Sequence, residues 1–559
     1  MSDPRISKAY VAVGDGQVHY RRAGSGPPIV LLHDSPRSSL LHLDLMASLC
    51  DRYTVYALDT PGYGLSTPLP TGGRELEIAD FADALAETVA ALGLEKAGFY
   101  GFHTSSKILL DFTVRHPDRV AVALLDGLSI APGGKPDGAF IDAYMRPFDI
   151  DADGAWLARE WTRVRDTMRW FPWFAPVPRS RMPIAQPDIG DIHDYFLDYA
   201  LAGPHYAGAY RAAMWHQPLD NVSRLTVPTQ VMARADDVLF GCLDLLPDPG
   251  PECLSVARLS ADRAAWKAHI GTMFDRHRGA MAVGPAPLPP QRSGAGYIDL
   301  AHGQMRILVQ PGRGRPVLCL HDLPGGATAE ADLHRALSAG GRPVLAPDLP
   351  GCGASDPLPA ASRKTLGRVV AEAVAALGYG EFDLVATGLS VPLGLEMLAT
   401  GLPIRRAVLD GMPLLDAAAR EAMLDYLAAP LVPDRAGGHL HRAFHALRDA
   451  AASFPAQDGS IPAVRSDSAI LRPQLLYRRV MDMLMQPRHQ GDMLRAAFAD
   501  DAGSLLSAVT VPVLLPAVTG DPLYRAVDGA ARRLSQATRM DRDPDPAARG
   551  AAFLGFLDG

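Results

Sequence analysis

The 559-residue chain has few cysteines, little net charge and no long apolar run. Its five cysteines are scattered without metal-ligand spacing, which is typical of reduced packing residues and not of a disulfide framework. The 54 basic and 62 acidic residues form no basic stripe, so nucleic acid is not an expected partner. No stretch reaches the roughly 18 apolar residues that span a bilayer, and the first ten residues lack a secretory apolar core. We therefore expect a cytoplasmic protein that binds neither nucleic acid nor membrane.

The remaining composition is that of an ordinary folded protein. Hydrophobic residues make up 48% and charged residues 21%, which excludes a disordered or fibrous chain. At roughly 100–200 residues per domain, the length predicts more than one folded unit.

The chain contains the same pattern twice. The segment YVAVGDGQVHYRRAGSGPPIVLLHDSP matches YIDLAHGQMRILVQPGRGRPVLCLHDLP, and ALDTPGYGLS matches APDLPGCGAS, in the same order and at offsets of 284–289 residues throughout. This spacing predicts a tandem duplication, an internal pseudo-dimer. We place the first domain at residues 1–282, a Pro/Gly-rich linker at 283–296 and the second domain at 297–559; further homo-oligomerisation stays open.

Each half alternates strand and helix patterns. Short apolar runs such as PPIVLLH and RPVLCLH are typical of strands buried in a parallel sheet, and ADFADALAETVAALGL has helical periodicity. The two helical segments at about 132–222 and 414–506 predict caps inserted late in each domain. The fold class predicted is α/β with a mostly parallel sheet.

Four features together resemble the α/β-hydrolase superfamily: a strand followed by His-x, D-x-P-G-x-G-x-S, a strand–elbow–helix unit, and a late Val-Pro strand that ends in Asp. The resemblance covers both halves and implies two tandem α/β-hydrolase-fold domains, each with flanking helices and a helical cap. It also implies a nucleophile at the elbow, an acid and a histidine later in the chain, and an oxyanion site of backbone amides.

The first half departs from that pattern at its elbow, which places His103 where the family has its nucleophile. Asp237 matches the late acid, and no histidine follows it at the usual place. We interpret His103 as a base or nucleophile oriented by Asp126 or Asp237. A buried, purely structural His103 in a decayed copy is the alternative.

The second half has Ser390 at its apparent elbow, with Asp410 and Asp521 as candidate acids and no late histidine. His439 in the predicted cap is the candidate base, and a structural role for it is equally open. The amides of Asp34, Ser35 and Thr104, and of Val391 in the second half, are the candidate oxyanion donors. The candidate substrate-binding residues are polar or aromatic residues of the first loop and the caps, namely His33, Arg37, Trp156, Trp161, Arg165, Asp166 and Arg448.

No dinucleotide fingerprint or metal-ligand cluster is present, so we expect neither a cofactor nor a metal. The function predicted is a hydrolase or lyase that acts on an ester or C–C bond of a small, partly apolar carbonyl compound, with an atypical histidine elbow. Two alternatives stay open: a serine hydrolase that uses Ser390, and a non-catalytic binding pseudoenzyme.

Overall fold

The computed structural model describes residues 6–131, 137–289, 292–466 and 472–559. The chain divides into a first unit of residues 1–149 and 159–289 and a second unit of residues 150–158 and 290–559. Residues 290 and 291 of the predicted linker, and 132–136 at the start of the first predicted cap, lie outside the described residues. Nine residues of the first predicted cap, 150–158, thus group with the second unit.

The first unit is built on an eight-stranded sheet in the order β1-β2-β4-β3-β5-β6-β7-β8. Strands β1 and β2 form an antiparallel hairpin, β2 pairs antiparallel with β4, and the strands from β4 to β8 are parallel to one another. The strands are β1 (Ser7–Val13), β2 (Gly16–Ala23), β3 (Pro28–Leu32), β4 (Thr54–Leu58), β5 (Ala97–Phe102), β6 (Val120–Asp126), β7 (Thr229–Arg234) and β8 (Leu254–Leu259).

Helices cover this sheet, and a group of them lies between β6 and β7, where the sequence predicts a cap. The sheet helices are α1 (Leu43–Leu49), α2 (Ile78–Ala91), α3 (Thr104–Arg115) and α9 (Arg263–His277). The inserted helices are α4 (Gly138–Tyr144), α5 (Ala155–Thr167), α6 (Ile189–Ala202), α7 (Gly208–Trp215) and α8 (Leu219–Ser223).

The second unit repeats this topology in the order β16-β15-β14-β13-β11-β12-β10-β9. Its strands are β9 (Gly294–Leu300), β10 (Gly303–Gln310), β11 (Val317–Leu320), β12 (Val344–Pro347), β13 (Phe382–Thr387), β14 (Ile404–Asp410), β15 (Val513–Ala517) and β16 (Ala537–Asp541). Its helices are α10 (Ala331–Ser338), α11 (Arg363–Ala376), α12 (Val391–Ala399), α13 (Ala417–Leu427), α14 (Gly438–Ala452), α15 (Pro473–Met485), α16 (Asp492–Ala497), α17 (Val527–Ala531) and α18 (Pro546–Asp558).

The apolar runs that predict central strands are buried along their whole length. Every residue of β3, β4 and β6 is buried, as is every residue of β11 and β13. Such strands have helices on both faces, which is why their sequences are continuous rather than alternating. The predicted fold class of two tandem α/β domains is therefore confirmed, and the carboxyl ends of the parallel strands define the place where a ligand site is expected.

Candidate functional site

A strained turn joins β5 to α3 in the first unit. His103 occupies this turn with φ +48° and ψ −109°, and within the described residues no other non-glycine residue has a positive φ. A conformation of this kind costs a non-glycine residue about 1–3 kcal/mol and clusters at functional sites. The turn also needs Gly127 beside it, because a Cβ there would lie 2.3 Å from His103 Cδ2. The elbow thus holds an imidazole ring against the carboxyl ends of the strands.

Asp237, just after β7, binds this ring directly. The distance from His103 Nε2 to Asp237 Oδ2 is 2.8 Å, and Asp237 Oδ1 accepts a hydrogen bond from the Leu239 amide at 2.8 Å. Burial alone would lower the pKa of His103, but the Asp237 carboxylate outweighs it and raises the pKa to about 9, with smaller contributions from Asp34 and Asp126. Burial opposes ionisation of Asp237 too, and the imidazolium nevertheless lowers the pKa of that carboxyl. The two groups form an ion pair at neutral pH.

Asp126, at the end of β6, takes a different role from Asp237. Its Oδ2 accepts hydrogen bonds from the Tyr100 hydroxyl and the Trp266 indole, both at 2.8 Å. Burial raises the pKa of Asp126 to about 6, although these two hydrogen bonds act in the opposite direction. Of the two aspartates that the sequence left open as partners of His103, Asp237 binds the imidazole ring through its carboxylate. The Asp126 carboxylate acts on the ring only electrostatically, although the Asp126 carbonyl accepts a hydrogen bond from the His103 amide at 2.9 Å.

The second unit shows where the backbone amides around the elbow converge. Asp322 Oδ1 accepts hydrogen bonds from the Leu389 amide at 2.8 Å and from the Leu323 amide at 2.9 Å. Gly388 is at the elbow with φ +55°, and a Cβ on it would lie 2.1 Å from the same oxygen. A carboxylate of the chain itself therefore fills the position that an oxyanion takes in this type of site.

The corresponding amides of the first unit belong to Ser35 and Thr104. Within the described part of the chain neither amide has a hydrogen-bond acceptor. At the equivalent elbow position of the second unit, a Cβ would lie 2.1 Å from the Asp322 carboxylate. The Cβ of His103 therefore excludes a carboxylate from the corresponding place in the first unit. Asp34, the counterpart of Asp322, lies elsewhere: its Oδ1 is buried without a hydrogen-bond partner among the described residues. Two unpaired amides at the elbow are thus available to an external oxygen.

Burial raises the pKa of Asp34, against the opposing effects of Arg37 and His103. Arg37 is held by the inserted helix α6, where its Nε donates to Asp198 Oδ2 at 2.9 Å. Its guanidinium also lies over the Tyr195 ring, 5.1 Å from the ring centroid. Arg37 is therefore a largely buried cation that is paired with Asp198 and acts electrostatically on Asp34.

Three tyrosines of the inserted helices belong to the same region, and the sequence pattern does not single them out. Tyr210 donates a hydrogen bond to the hydroxyl of Tyr144 at 3.0 Å. Burial raises the pKa of Tyr144, Tyr195 and Tyr210, and the Asp34 carboxyl lies close enough to raise each further. The aromatic richness of the segment was visible in the sequence, but its periodicity did not distinguish pocket tyrosines from packing aromatics.

His33 belongs to the scaffold of the loop. Its Nδ1 lies 2.7 Å from the Asp34 carbonyl oxygen, and its Nε2 accepts a hydrogen bond from the Thr60 amide at 2.9 Å. His321 makes the same pair of contacts in the second unit, at 2.9 and 3.1 Å. Both ring nitrogens are used, so the predicted substrate contact for His33 is not supported by this geometry.

The other predicted substrate-binding residues make no described contact with the His103–Asp237 pair. Trp161 packs on Phe196, and Trp156 belongs to the residues grouped with the second unit, where it packs on Tyr477. Five of the predicted residues are concerned, namely Trp156, Trp161, Arg165, Asp166 and Arg448. Within the described chain, none of them forms a hydrogen bond, an ion pair or a ring contact with His103 or Asp237. Burial raises the pKa of Asp166, with Arg165 opposing it.

The structure corrects the position of Ser390. Ser390 is fully buried, and its Oγ donates to the carbonyls of Thr387 at 2.8 Å and Leu320 at 3.2 Å. Ser105 makes the equivalent contacts in the first unit. Ser390 is thus the counterpart of Ser105, two residues beyond the elbow, and its hydroxyl is closed to a substrate. The amide predicted at Val391 is displaced in the same way, since Leu389 supplies it.

The remaining candidates of the second unit are each engaged separately. Asp410 accepts a hydrogen bond from Tyr524 at 2.8 Å and binds the Arg542 guanidinium at 2.8 Å. Asp521 caps a turn by accepting from the Leu523 amide at 2.9 Å. His439 is buried at the start of α14, where its ring accepts from the Asp434 amide at 3.3 Å. These contacts do not assemble a catalytic triad.

In residues 6–131, 137–289, 292–466 and 472–559, no group of three or more His, Cys, Asp or Glu side chains could hold a metal ion. Over the same ranges, no helix combines the length and the apolar character needed to cross a membrane.

Comparison with known proteins agrees with this geometry. Residues 27–241 match the family model described as the alpha/beta hydrolase fold. Within the first unit, these residues therefore belong to the alpha/beta hydrolase fold, and the second unit repeats the strand order of that sheet. Haloalkane dehalogenase 2 of Mycobacterium tuberculosis is 34% identical over 110 residues, which cover 20% of this chain and 38% of the dehalogenase. A succinate-derivative hydrolase of Acinetobacter baylyi, (E)-2-((N-methylformamido)methylene)succinate hydrolase, is 30% identical over 124 residues, 22% of this chain and 46% of that enzyme.

The chain spans less than half the length of these curated relatives in the matched regions. Among solved structures, epoxide hydrolase A from Mycobacterium thermoresistibile is 20% identical and aligns over 50% of this chain and 100% of its own, with a TM-score of 0.40. The curated relatives therefore include a haloalkane dehalogenase and a hydrolase of a succinate derivative.

Proposed function

We propose that the first unit is a hydrolase or lyase that acts on a small, partly apolar carbonyl compound, with His103 as its general base and Asp237 as the partner of that base. The observation that supports this most is the strained elbow histidine bound to Asp237 at 2.8 Å. The second unit has glycine at the equivalent position, which adopts a positive φ without strain. A histidine retained at such a cost is best explained by chemistry.

The proposed base is the second ring nitrogen. Nε2 is used by Asp237, whereas Nδ1 has no hydrogen-bond partner among the described residues, and 26% of the His103 side chain is exposed. In the neutral ring, Nε2–H donates to Asp237, and Nδ1 carries the lone pair that can accept a proton. A substrate carbonyl oxygen would accept hydrogen bonds from the amides of Ser35 and Thr104.

Two reactions fit this arrangement. In hydrolysis, Nδ1 takes a proton from water, the hydroxyl attacks the carbonyl carbon, and the proton passes to the leaving group. In elimination, Nδ1 takes a proton from the carbon next to the carbonyl and returns it to the leaving group. Both need neutral His103, and only about one ring in a hundred is neutral at pH 7 when the pKa is about 9. We therefore expect kcat/KM to rise about tenfold per pH unit from pH 7 and to level near pH 9.

The test is an activity screen of wild type, His103→Ala and Ser390→Ala on esters, lactones and β-diketones. We expect His103→Ala to lose activity by a factor of about 10²–10⁴, the usual contribution of a general base, while Ser390→Ala retains it. Thermal melts of all three proteins check that they fold. Retained activity in His103→Ala would refute the proposal. Activity that falls above pH 9 would instead assign His103 as a general acid.

A non-catalytic binding role is the second candidate, and it concerns the second unit. There Gly388 offers no side chain for chemistry, and Asp322 occupies the two amides of the elbow.

A further inference from the structure

The second unit contains a cavity of about 610 Å³ at the carboxyl ends of its strands. Thr387, Gly388, Asp410 and Tyr524 line it, so it occupies the position of a hydrolase active site. Cavities of about 300–1,000 Å³ hold small-molecule ligands. Its lining is unusually rich in arginine: Arg465, Arg472, Arg478, Arg479, Arg542 and Arg549.

Two of these arginines have a buried Nε–H without an acceptor among the described residues, although Nη1 of Arg549 donates to the Asp543 carbonyl at 3.5 Å. Within the described chain, neither Arg465 Nε nor Arg549 Nε makes a hydrogen bond. The nearest carboxylate oxygens are 3.5 Å from Arg465, on Asp521, and 3.8 Å from Arg549, on Asp410. A buried N–H without an acceptor costs about 1–3 kcal/mol, so a ligand that carries acceptor oxygens would bind here favourably.

The positive charge of the cavity exceeds its negative charge. Of its lining carboxyls, Asp322 pairs with Arg479 at 3.2 Å and Asp410 with Arg542 at 2.8 Å. Burial raises the pKa of Glu330 to about 7, which leaves this carboxyl partly neutral. Six arginines face four carboxyl groups in the lining.

At the mouth, Arg472 and Arg478 are exposed, and no acidic side chain of the described residues pairs with either. A cation at the entrance of a positive cavity adds to the attraction of an anion at low ionic strength.

The first unit lacks this arginine set. At offsets of 283–284 residues, Asp194 corresponds to Arg478, Tyr195 to Arg479 and Trp266 to Arg549. Trp266 and Arg549 also occupy equivalent places in their units. Trp266 donates a hydrogen bond to Asp126 at the end of β6, and the Arg549 guanidinium lies 3.8 Å from Asp410 at the end of β14. The second copy therefore has cations where the first has an acid or an aromatic ring.

We propose that this cavity is a binding site for a small organic anion with two or more carboxylate or phosphate groups, held by the arginine side chains. A guanidinium fork matches both oxyanions with paired hydrogen bonds. Asp322 already accepts hydrogen bonds from both elbow amides there, which shows that this end of the cavity accommodates a carboxylate. The site binds and does not turn over its ligand, because the elbow residue is Gly388.

The test is isothermal titration of the full chain with citrate and with inorganic phosphate at 0.05 M and 0.3 M salt. Trimethyl citrate is the uncharged control ligand. Arg465→Gln and Arg478→Gln are the test variants, and Arg368→Gln is the matched control because its side chain is 70% exposed and lies outside the cavity. His103→Ala separates this site from the first unit.

We expect saturable binding of citrate or phosphate that weakens at least tenfold in Arg465→Gln and about threefold in Arg478→Gln. Arg368→Gln and His103→Ala should bind as wild type does, and trimethyl citrate should not bind. Tighter citrate binding would favour carboxylates over phosphates as the ligand class. If neither anion binds, or if all variants bind equally, the proposal is wrong. Should Arg465→Gln fail to fold, the exposed Arg478→Gln decides the matter. If the first unit proved to have no His103-dependent activity, the anion-binding results for the second unit would still stand.

Discussion

The ion pair between His103 and Asp237 predicts how His103 titrates when Asp237 is replaced by asparagine. Asp237 contributes more than any other group to raising the pKa of His103 to about 9, and burial acts in the opposite direction. Asp237→Asn keeps the size of the side chain and removes its charge. Burial is then opposed only by Asp34 and Asp126, so we expect the pKa of His103 to fall to 6.5 or below.

The size of the effect on stability follows from this shift. A rise from 6.5 to about 9 corresponds to about 3 kcal/mol in favour of the charged ring, and solvent screening of the 26% exposed side chain reduces this to about 2 kcal/mol. Because the pKa is higher in the folded state, the stabilisation is fully present below pH 6.5 and is lost as the pH rises through about 9. Asp237→Asn should therefore cost about 2 kcal/mol of unfolding free energy at pH 6 and much less at pH 10.

The assay is an NMR titration of ¹³C,¹⁵N-histidine-labelled protein, with His103→Gln to assign the signal and urea unfolding at pH 6 and pH 10. Asp521→Asn is the matched control, since Asp521 is the same strand-end acid of the second unit and bonds a backbone amide at 2.9 Å. Two results would refute the reasoning: a wild-type His103 that titrates near 6.5, or a pKa that stays within half a unit in Asp237→Asn.

Two further predictions concern the elbows. Gly127→Ala should destabilise the protein by about 1–3 kcal/mol and impair activity, because its Cβ would lie 2.3 Å from His103 at a φ of +65°. Gly378→Ala has a φ of +89° and open space, so thermal melts of the pair separate the clash from the backbone strain. Gly388→Ala should cost about 2–4 kcal/mol in urea unfolding, since it drives Asp322 off two amides; a change below 0.5 kcal/mol would contradict this.

Much of the fold could be predicted from the sequence because the determining signals are local and occur twice. The apolar runs of β3 and β11 and the turns that follow them define the sheet in each copy. His33 and His321 were visible as a repeated His-Asp motif. The role of these histidines was not visible in the sequence. A His-Asp motif whose two ring nitrogens bind the loop backbone has the same sequence as one that contacts a substrate.

The elbow of the second unit could not be located from the sequence. The offset between the copies drifts from 289 to 284 residues, so either Gly388 or Ser390 could match His103. The strand register decides: Phe102 pairs with Asp126, and Thr387 pairs with Asp410, which puts Gly388 next. A Gly-x-Ser sequence here has its glycine, and not its serine, in the left-handed conformation.

Long-range groupings were also beyond the sequence. The partner of His103 lies 134 residues away, and two aspartates at neighbouring strand ends satisfied the same pattern. The tyrosines of α4, α6 and α7 come from separate helices, and periodicity shows only that each helix has a buried face. The cavity arginines of the second unit are similarly dispersed over the segment before α15, α15 itself, the loop after β16, and α18.

The presence or absence of a Cβ at the elbow residue determines whether the aspartate of the loop after the first central strand can bind the two elbow amides. With a Cβ present, as in His103, the amides of Ser35 and Thr104 have no acceptor among the described residues. With glycine at the elbow, the loop aspartate Asp322 accepts from the corresponding amides. The residue at the elbow therefore distinguishes the copy whose amides are open from the copy whose amides are occupied. An inhibitor that imitates a tetrahedral oxyanion, such as a boronic acid, should therefore titrate with a stoichiometry of one per chain, although the fold occurs twice.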